Sequence, residues 1–279
     1  MHLHESLISS LPRVWADMNY LAPMAERPRN YTFDPPGGVP RSNVVNDAQS
    51  VAIHDLRPIA HYVSLDANGF SLVKHASRVR DFFDDEEVRR IYYPEVEQVI
   101  RKATGADRVH IFDHTTRRRI EGTPDRSGGP RQPVQRVHID HTARSGPQRV
   151  RDLLPDEAGE LLKGRVQVIN LWRPIAGPLL DSPLAVCDAS TVGEGDLVPT
   201  DLVYPERVGE TYSVRYNPEH RWFYVPRMQP DEALLIKCSD TARVPARFTP
   251  HSAFVDPTTP AGAPPRQSIE VRTLVFHKG

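Results

Sequence analysis

Residues 133–141, PVQRVHIDH, begin a series of short apolar segments that decides the fold of this chain. Proline, glycine or aspartate separates most of the segments from the next, and the later ones are RVQVINLWRP (165–174), LAVCD (184–188), TYSVRYN (211–217), HRWFYVPRM (220–228), EALLIKCSD (232–240), SAFVD (252–256) and IEVRTLVFH (269–277). Many short strands joined by turn residues are typical of a sandwich or a barrel. With RVHIFDH (108–114) as its first strand, an all-β core with flanking helices is predicted over about residues 108–276.

The sequence before this core predicts an N-terminal arm and a body. Six prolines interrupt residues 1–43, which show little hydrophobic periodicity, so this segment is expected to be an extended arm that wraps over the body or is partly disordered. Residues 44–279 are predicted to form one domain. Short strands with a turn at DANG (66–69) are expected before residue 84, and a loop is expected over residues 121–133.

One helix is strongly indicated. In residues 84–105, DDEEVRRIYYPEVEQVIRKATG, Asp84 and Asp85 stand where an N-cap belongs, and Gly105 stands at the end. Pro94 is expected to divide or kink this helix, because proline lacks the backbone N–H that continues the hydrogen-bond ladder. A second, shorter helix is predicted over about residues 155–163.

Composition and charge exclude several classes of protein. The 279 residues contain 35 basic and 36 acidic side chains, and a formal net charge of −1 argues against non-specific binding to nucleic acid. Mean hydropathy is −0.48, and no apolar stretch of the length needed to span a membrane is present. The N-terminal residues do not resemble a secretion signal, and the two cysteines, Cys187 and Cys238, are expected to be buried thiols. We therefore predict a cytoplasmic protein.

The sharpest pattern for chemistry is His138-Ile139-Asp140. Residues two apart on a strand project from the same face, so this imidazole and this carboxylate can bind one metal ion. The triplet alone is weak evidence, but His251 follows at the head of a later strand, in FTPHSAF. Two imidazoles and one carboxylate on one face of a metal are typical of non-haem Fe(II) oxygenases, because three coordination positions stay open.

A second pattern, Arg266-Gln267-Ser268, opens the last strand. A guanidinium and a hydroxyl two residues apart lie on one face, which suits the distal carboxylate of 2-oxoglutarate. Each motif is common by itself. The order His-x-Asp, distal His and Arg-x-Ser within the strand-rich half is much rarer than its parts.

The chain resembles the Fe(II)/2-oxoglutarate oxygenases that group fungal gibberellin desaturase-like hydroxylases with a bacterial cephamycin-pathway hydroxylase. The resemblance runs from about Val51 to Phe276 and leaves out the N-terminal arm before residue 44. It is carried by IHDLRP, DANGFSLVKHAS, RIYYPEVEQVIRKATGADRVHIFDHTTR, VHIDHT, INLWRPIAGPLLDSPLAVCD, HRWFYVPRMQPDEALLIKCSDT, FTPHSAF and RQSIEVRTLVF. It implies a double-stranded β-helix, the jelly roll of cupin-like proteins.

The resemblance also implies roles for particular residues. It puts Fe(II) on His138, Asp140 and His251, and 2-oxoglutarate on Arg266 and Ser268. Arg272 and Glu270 fall on the same strand face, so one arginine can bind the cosubstrate while Glu270 satisfies the other, and we favour Arg266 for the cosubstrate. Further residues of the site are expected to be Asn170, which we group with the cofactor residues, and Trp172, Arg173 and Tyr224, which we assign to substrate contact.

Other histidines near these motifs are not expected to bind the metal. His110 and Asp113 are three residues apart, which on a regular strand makes them face opposite sides. We interpret them, with His114, as core or hydrogen-bonding residues. His141 directly follows Asp140 and is expected to point away from the iron, with a substrate contact left open.

The predicted activity is oxidation of a small molecule with Fe(II), 2-oxoglutarate and O2. Succinate and CO2 are released, and the substrate, a natural product of secondary metabolism or an amino-acid-like molecule, is hydroxylated, desaturated or cyclised. Two alternatives stay open at this point. One is a metal-dependent hydrolase that uses the same His-Asp-His set, and the other is a non-catalytic β-barrel binding protein.

Arginine usage gives a weaker indication about the substrate. All but five of the 35 basic side chains are arginines. A GC-rich genome accounts for most of this excess, but the excess also points to a substrate that bears a carboxylate, with Arg144, Arg173 and Arg215 as candidates for binding it. No membrane partner is expected. The oligomeric state is left open, with a homodimer as one option.

Overall fold

Two β-sheets and short helices form the described part of the chain, which in this computed structural model comprises residues 3, 5–120, 122 and 131–278. The strands are β1 (Arg13–Leu21), β2 (Arg29–Tyr31), β3 (Asn46–Asp55), β4 (Phe70–Lys74), β5 (Arg108–Arg118), β6 (His138–Ile139), β7 (Arg165–Pro174), β8 (Leu184–Cys187), β9 (Leu197–Val203), β10 (Val208–Val214), β11 (Trp222–Tyr224), β12 (Glu232–Asp240), β13 (His251–Ala253) and β14 (Gln267–His277). The α-helices are α1 (Glu5–Ser9), α2 (Asp85–Glu87), α3 (Tyr93–Thr104), α4 (Ser145–Leu153) and α5 (Ala158–Leu161).

The order of the strands confirms the predicted jelly roll. The larger sheet runs β1-β3-β11-β8-β13-β6-β10-β9-β2, and the smaller runs β4-β12-β7-β14-β5. From β5 onward the chain crosses repeatedly between the two sheets, and neighbouring strands of the core pair in antiparallel fashion. This alternation places β6 and β13 of one sheet opposite β7 and β14 of the other.

Strand β7 shows why the smaller sheet has two apolar faces. Its residues from Val166 to Pro174 are all buried. Val168 and Trp172 pack into the core between the sheets, whereas Ile169 and Leu171 pack into a second cluster on the opposite face, together with buried residues of α3. Alternation of side chains along a strand therefore explains a continuous apolar run in the sequence.

The helix predicted over residues 84–105 is confirmed, including its caps and its interruption. The carboxylate of Asp84 accepts hydrogen bonds from the backbone N–H groups of Glu86 and Glu87 at 3.0 and 3.2 Å. A π-helical turn over Val88–Tyr92 joins α2 to α3 just before Pro94, where the regular ladder lacks a donor. Gly105 ends α3 with a left-handed φ of 68°.

The N-terminal segment differs from the prediction. Strand β1 pairs with β3 along its whole length, so residues 13–21 are part of the larger sheet and not an arm lying over it. Ala16, Met18 and Tyr20 alternate along β1 and are buried. This period of two was obscured in the sequence by the prolines on both sides of the strand.

Two helices also differ from the prediction. Helix α4 (Ser145–Leu153) was not predicted, although Pro147 lies in its first turn, where proline is tolerated. The helix expected over 155–163 is shorter and consists of Ala158–Leu161. The predicted loop over 121–133 lies mainly outside the described residues.

Cys187 and Cys238 are buried free thiols, as predicted. Burial raises the pKa of both thiols above the usual range for cysteine. Within the described ranges, the helices are too short and too polar for any of them to span a lipid bilayer.

Candidate active site

The three predicted metal ligands come together between the sheets. His251 of β13 pairs directly with His138 of β6, and their ring centroids lie 4.5 Å apart. Asp140 follows β6, and one ligand atom from each of the three residues lies within 4.8 Å of the others. In the described part of the chain, these are the only three His, Cys, Asp or Glu side chains grouped closely enough to hold a metal ion.

Backbone carbonyls orient both imidazoles. The Nδ1 atom of His138 lies 2.7 Å from the carbonyl oxygen of Arg136, and the Nδ1 atom of His251 lies 3.1 Å from that of Thr249. Because a carbonyl oxygen only accepts hydrogen bonds, each Nδ1 carries the proton and each Nε2 presents a lone pair. This is the tautomer that a metal requires.

The carboxylate of Asp140 is held in its charged form. Burial would raise its pKa, but contact with the imidazole of His138 and the charge of the nearby Arg272 guanidinium hold the pKa well below its usual range. Asn170 on β7 donates from Nδ2 to Asp140 Oδ2 at 2.7 Å. Burial, followed by repulsion from His138, lowers the pKa of His251, which favours the neutral ligand form.

A glycine at the predicted DANG turn supports the position of His251. Thr249 donates from Oγ1 to the carbonyl oxygen of Gly69 at 2.9 Å. Gly69 has a φ of +89°, and a Cβ atom there would lie 2.1 Å from the Thr249 hydroxyl. Only glycine therefore allows this close approach, and the same threonine supplies the carbonyl that orients His251.

Arg266 is a buried cation without a carboxylate at salt-bridge distance among the described residues. It is 3% exposed, its Nε donates to Ser268 Oγ at 3.1 Å, and its Nη1 donates to the carbonyl oxygen of Ser182 at 2.9 Å. Its guanidinium lies 4.8 Å from the ring centroid of Trp172. Burial, then repulsion from Arg117, lowers the pKa of Arg266 to about 9, so the group stays charged at neutral pH.

Arg272 has the opposite environment. Its Nη1 lies 2.8 Å from Asp113 Oδ1, its Nη2 lies 2.7 Å from Glu270 Oε1, and its Nε lies 3.6 Å from Asp140 Oδ2. Burial would lower the pKa of Arg272, but these carboxylates raise it above the usual arginine range. Arg272 is therefore neutralised by its neighbours, whereas Arg266 is not.

Register separates the remaining predicted site residues into two groups. Asn170 and Trp172 pair with Arg272 and Glu270, so they share the face that carries Arg266 and Ser268. Arg173 lies on the other face of β7, between the rings of Phe82 and Tyr92 and bonded to the carbonyl of Pro230. The structure thus does not bring Arg173 to the metal-ligand group.

Tyr224 also faces away from the metal ligands. It pairs with Ala185, which pairs with Ser252, so these three residues share one face of the larger sheet. His251 is adjacent to Ser252 and lies on the other face. The ring of Tyr224 packs edge-on against Phe254 at 5.3 Å. Its predicted substrate contact is not supported by this orientation.

A bulge in β5 changes which residues face the interior. Arg272 pairs with Asp113 and Thr273 with Ile111, so Phe112 is the extra residue. His110 pairs with Leu274, two residues from Arg272, and the expectation that His110 and Asp113 face opposite sides is therefore wrong. Neither residue belongs to the group of His138, Asp140 and His251.

His114 and His141 form hydrogen bonds outside that group. The Nδ1 of His114 lies 2.9 Å from the hydroxyl of Tyr93, and the Nδ1 of His141 lies 3.3 Å from the hydroxyl of Ser145. Burial lowers the pKa of His141 to about 4.

The bulge also reveals Arg117, which sequence reasoning missed. Arg117 pairs with Ser268 and so shares the face of Arg266. Thr115 and Asp113, at the same spacing of two, pair with Glu270 and Arg272. The spacing was visible in the sequence, but the face became clear only once the position of the bulge was known.

The residues present fit an iron ion and an organic dianion. The donor set is two neutral imidazoles and a carboxylate, and a charged guanidinium without a carboxylate partner lies on the facing sheet. Asn170 Oδ1 and Trp172 Nε1 are buried without a hydrogen-bond partner among the described residues, as expected of polar atoms that a bound group or water satisfies. A jelly roll with this set defines the class of non-haem iron oxygenases.

Comparisons with known proteins agree with this class. A family described as an oxidoreductase/YMDC permease-like domain matches residues 18–276. The Fe(II)/2-oxoglutarate-dependent dioxygenase nvfI of Aspergillus novofumigatus (strain IBT 16806) is 34% identical over 254 residues, which cover 88% of this chain and 90% of that protein. The hydroxylase/desaturase efuI of Hormonema carpetanum is 35% identical over 262 residues, which cover 86% and 88%.

Comparison with a solved structure supports the same class of enzyme. The iron and alpha-ketoglutarate-dependent endoperoxidase NvfI matches with a TM-score of 0.86 and 31% identity, and the match covers 96% of this chain and 99% of that one. The chain therefore belongs to the Fe(II)/2-oxoglutarate-dependent dioxygenases, an oxidoreductase family that uses Fe(II), 2-oxoglutarate and O2. The family match begins at residue 18, which corrects the expectation that the segment before residue 44 lies outside it.

Asn170 gives a test of this geometry. We predict that Asn170→Leu weakens Fe(II) binding by about 10- to 100-fold, because Asp140 loses the donor that orients its carboxylate. Anaerobic Fe(II) titration measures the effect. Asn217→Leu removes a similar bond, from Asn217 Nδ2 to Asp196 at 3.0 Å, and serves as the control. Unchanged iron affinity in Asn170→Leu would contradict the assigned role.

Proposed function

We propose that this chain oxidises a small organic molecule at a site where His138, Asp140 and His251 hold Fe(II). The observation that carries the proposal is the metal-ligand group facing a buried arginine that has no carboxylate partner among the described residues. When bound, Fe(II) and 2-oxoglutarate supply the oxidising power with O2, and succinate and CO2 are released. The substrate is hydroxylated, desaturated or cyclised.

The chain's own residues hold and orient the reacting groups. Asn170 keeps the carboxylate of Asp140 turned toward the metal, through the bond at 2.7 Å. Arg266 and Ser268 receive the distal carboxylate of 2-oxoglutarate, and Trp172 packs against the guanidinium. Arg272 holds Glu270 and Asp113, so that their charges do not compete with the cosubstrate. The protein contributes positioning and exclusion of water.

Turnover of 2-oxoglutarate tests the proposed metal site. The wild-type protein, loaded with Fe(II) in air, is expected to convert 2-oxoglutarate to succinate, and His138→Ala is expected to lose both iron binding and succinate release. His277→Ala, at the far end of β14, is the matched control. Iron content by elemental analysis and succinate by mass spectrometry measure the outcome. Turnover of substrate under nitrogen without succinate would instead indicate a hydrolase.

Two substitutions distinguish the roles of Arg266 and Arg272. Arg266→Gln is expected to raise the KM for 2-oxoglutarate by about 100-fold or more, since a charge-assisted anion contact is lost, while iron affinity changes little. In Arg272→Gln we expect the larger effect on iron affinity, because Asp140 and Glu270 lose their counter-charge. The opposite pattern would transfer the cosubstrate role to Arg272. Steady-state kinetics and iron titration separate the cases.

We also propose that the substrate bears a carboxylate and that Arg117 binds it. Arg117 lies beside Ser268, its Nη1 donates to the carbonyl of Gln132 at 2.8 Å, and no described carboxylate lies within salt-bridge distance. Burial lowers the pKa of Arg117 because its charged form is desolvated, and a bound anion would offset that cost. The earlier candidates are less suitable. Arg144 pairs with Glu210 at 3.0 Å, Arg173 lies on the wrong face, and Arg215 is exposed.

This substrate proposal predicts a difference between acids and esters. Succinate release in the wild-type protein is expected to be stimulated by some members of a panel of natural-product and amino-acid-like acids, but not by their methyl esters. Arg117→Gln is expected to lose that preference with the KM for 2-oxoglutarate unchanged. Arg118→Gln, which alters the other face of β5, is the control. Equal stimulation by acids and esters in the wild type would refute the proposal.

We also propose that the bacterial cephamycin-pathway hydroxylase belongs to the same group. A solved structure of that hydroxylase with the same β5 bulge would support this relationship.

The N-terminal segment and residues 44–279 are proposed to act as one oxygenase domain. A single unfolding transition tests this organisation.

We propose that the chain forms a homodimer. The proposal is supported by Trp15 and Val255, which are 59% and 63% exposed beside one groove. A monomer mass by light scattering would refute it.

A cytoplasmic location is also proposed, supported by the two free thiols. Cell fractionation tests this location.

A further inference from the structure

Asp181 is a buried carboxylate beside Arg266 that does not pair with the Arg266 guanidinium. Asp181 is 5% exposed, and its Oδ2 accepts a hydrogen bond from the backbone N–H of Arg266 at 3.2 Å. Its Oδ1 accepts from the guanidinium of Arg119 and from the hydroxyl of Ser182, the latter at 3.1 Å. The charge of Asp181 is therefore balanced by Arg119.

Arg119 is fixed at this position by the backbone as well. Its N–H donates to the carbonyl of Arg266 at 2.9 Å, so the two arginines are adjacent where β5 and β14 meet. Ser182 has a φ of 48°, in the region that non-glycine residues rarely adopt, and its carbonyl accepts from Arg266 Nη1. A residue keeps such a conformation only when its surroundings determine it, and such residues concentrate at functional sites.

The other carboxylate near Arg266 is held in the same way. Glu270 is four residues from Arg266 along the chain and projects from the same face. Its Oε1 lies 2.7 Å from Arg272 Nη2. Two acidic groups, Glu270 and Asp181, act electrostatically on Arg266. Glu270 is paired with Arg272 instead, and Asp181 is paired with Arg119. The cation of Arg117 acts on Arg266 in the opposite direction.

We propose that Arg119 is a positioning residue for cosubstrate binding, because its pairing with Asp181 keeps that carboxylate from neutralising Arg266. An isolated buried carboxylate beside a guanidinium would form the stronger ion pair with it. Without Arg119, Asp181 competes with the distal carboxylate of 2-oxoglutarate for Arg266. This inference rests on the proposed role of Arg266 in binding 2-oxoglutarate.

The test is the affinity of the Fe(II)-loaded protein for 2-oxoglutarate, measured by anaerobic calorimetry. Arg119→Gln is expected to raise the Kd by about tenfold, because an uncompensated negative charge then lies beside the anion site. Asp181→Asn alone is expected to leave the Kd unchanged or lower it. The double variant Arg119→Gln/Asp181→Asn is expected to return to within about twofold of the wild type, because no competing charge remains.

A control variant and a comparison with Arg266→Gln make the test specific. Arg108→Gln removes a pair from the other end of β5, where Arg108 Nη1 lies 2.6 Å from Glu157, and is expected to leave the Kd unchanged. A double variant as weak as Arg119→Gln would show a merely structural role and overturn the inference. Arg266→Gln separates the two levels. If it weakens binding while Arg119→Gln does not, only this inference fails, and if it has no effect, the proposed anchor fails as well.

Discussion

The pairing of His251 with His138 across two antiparallel strands is the constraint on which the rest of the site depends. Residues directly opposite on such strands share a face, so one register brings two imidazoles together, and Asp140 follows from the alternation of β6. A shift of one residue would turn His251 to the other side of the sheet. Contacts around these strands protect the register, since Gly69, Thr249 and the carbonyl beside each histidine all fix the same geometry.

The charged side chains near the site are paired in a pattern that, in the described part of the chain, leaves Arg266 free of carboxylate partners. The interior of the smaller sheet contains several arginines and carboxylates, yet the carboxylates near the site are held by arginines other than Arg266. The buried guanidinium of Arg266 is left without an acidic partner at salt-bridge distance among the described residues. A buried unpaired cation is costly in an isolated protein, and a bound dianion removes that cost. Under the proposed role of Arg266, cosubstrate affinity is therefore coupled to pairs of side chains that do not contact the cosubstrate.

The sequence was sufficient for what strand alternation determines. His138 shares a face with Asp140, and on the facing sheet Arg266 shares a face with Ser268, because the residues of each pair are two apart. The helix over 84–105 followed from its caps. Features that depend on pairing between distant strands were not predictable. The bulge at Phe112 reversed the expected faces of β5, and neighbouring residues of β7 divided between the interior and the outer cluster. Strand β1 was missed because its period of two is short and lies between prolines.

The most direct test of the account is a crystal structure of the protein with Fe(II) and 2-oxoglutarate, prepared without oxygen. The account predicts iron bound by Nε2 of His138, Nε2 of His251 and one oxygen of Asp140. It also predicts the distal carboxylate of 2-oxoglutarate on Arg266 and Ser268, with Asp181 still paired to Arg119. Iron on other ligands, or the distal carboxylate on Arg272, would contradict it.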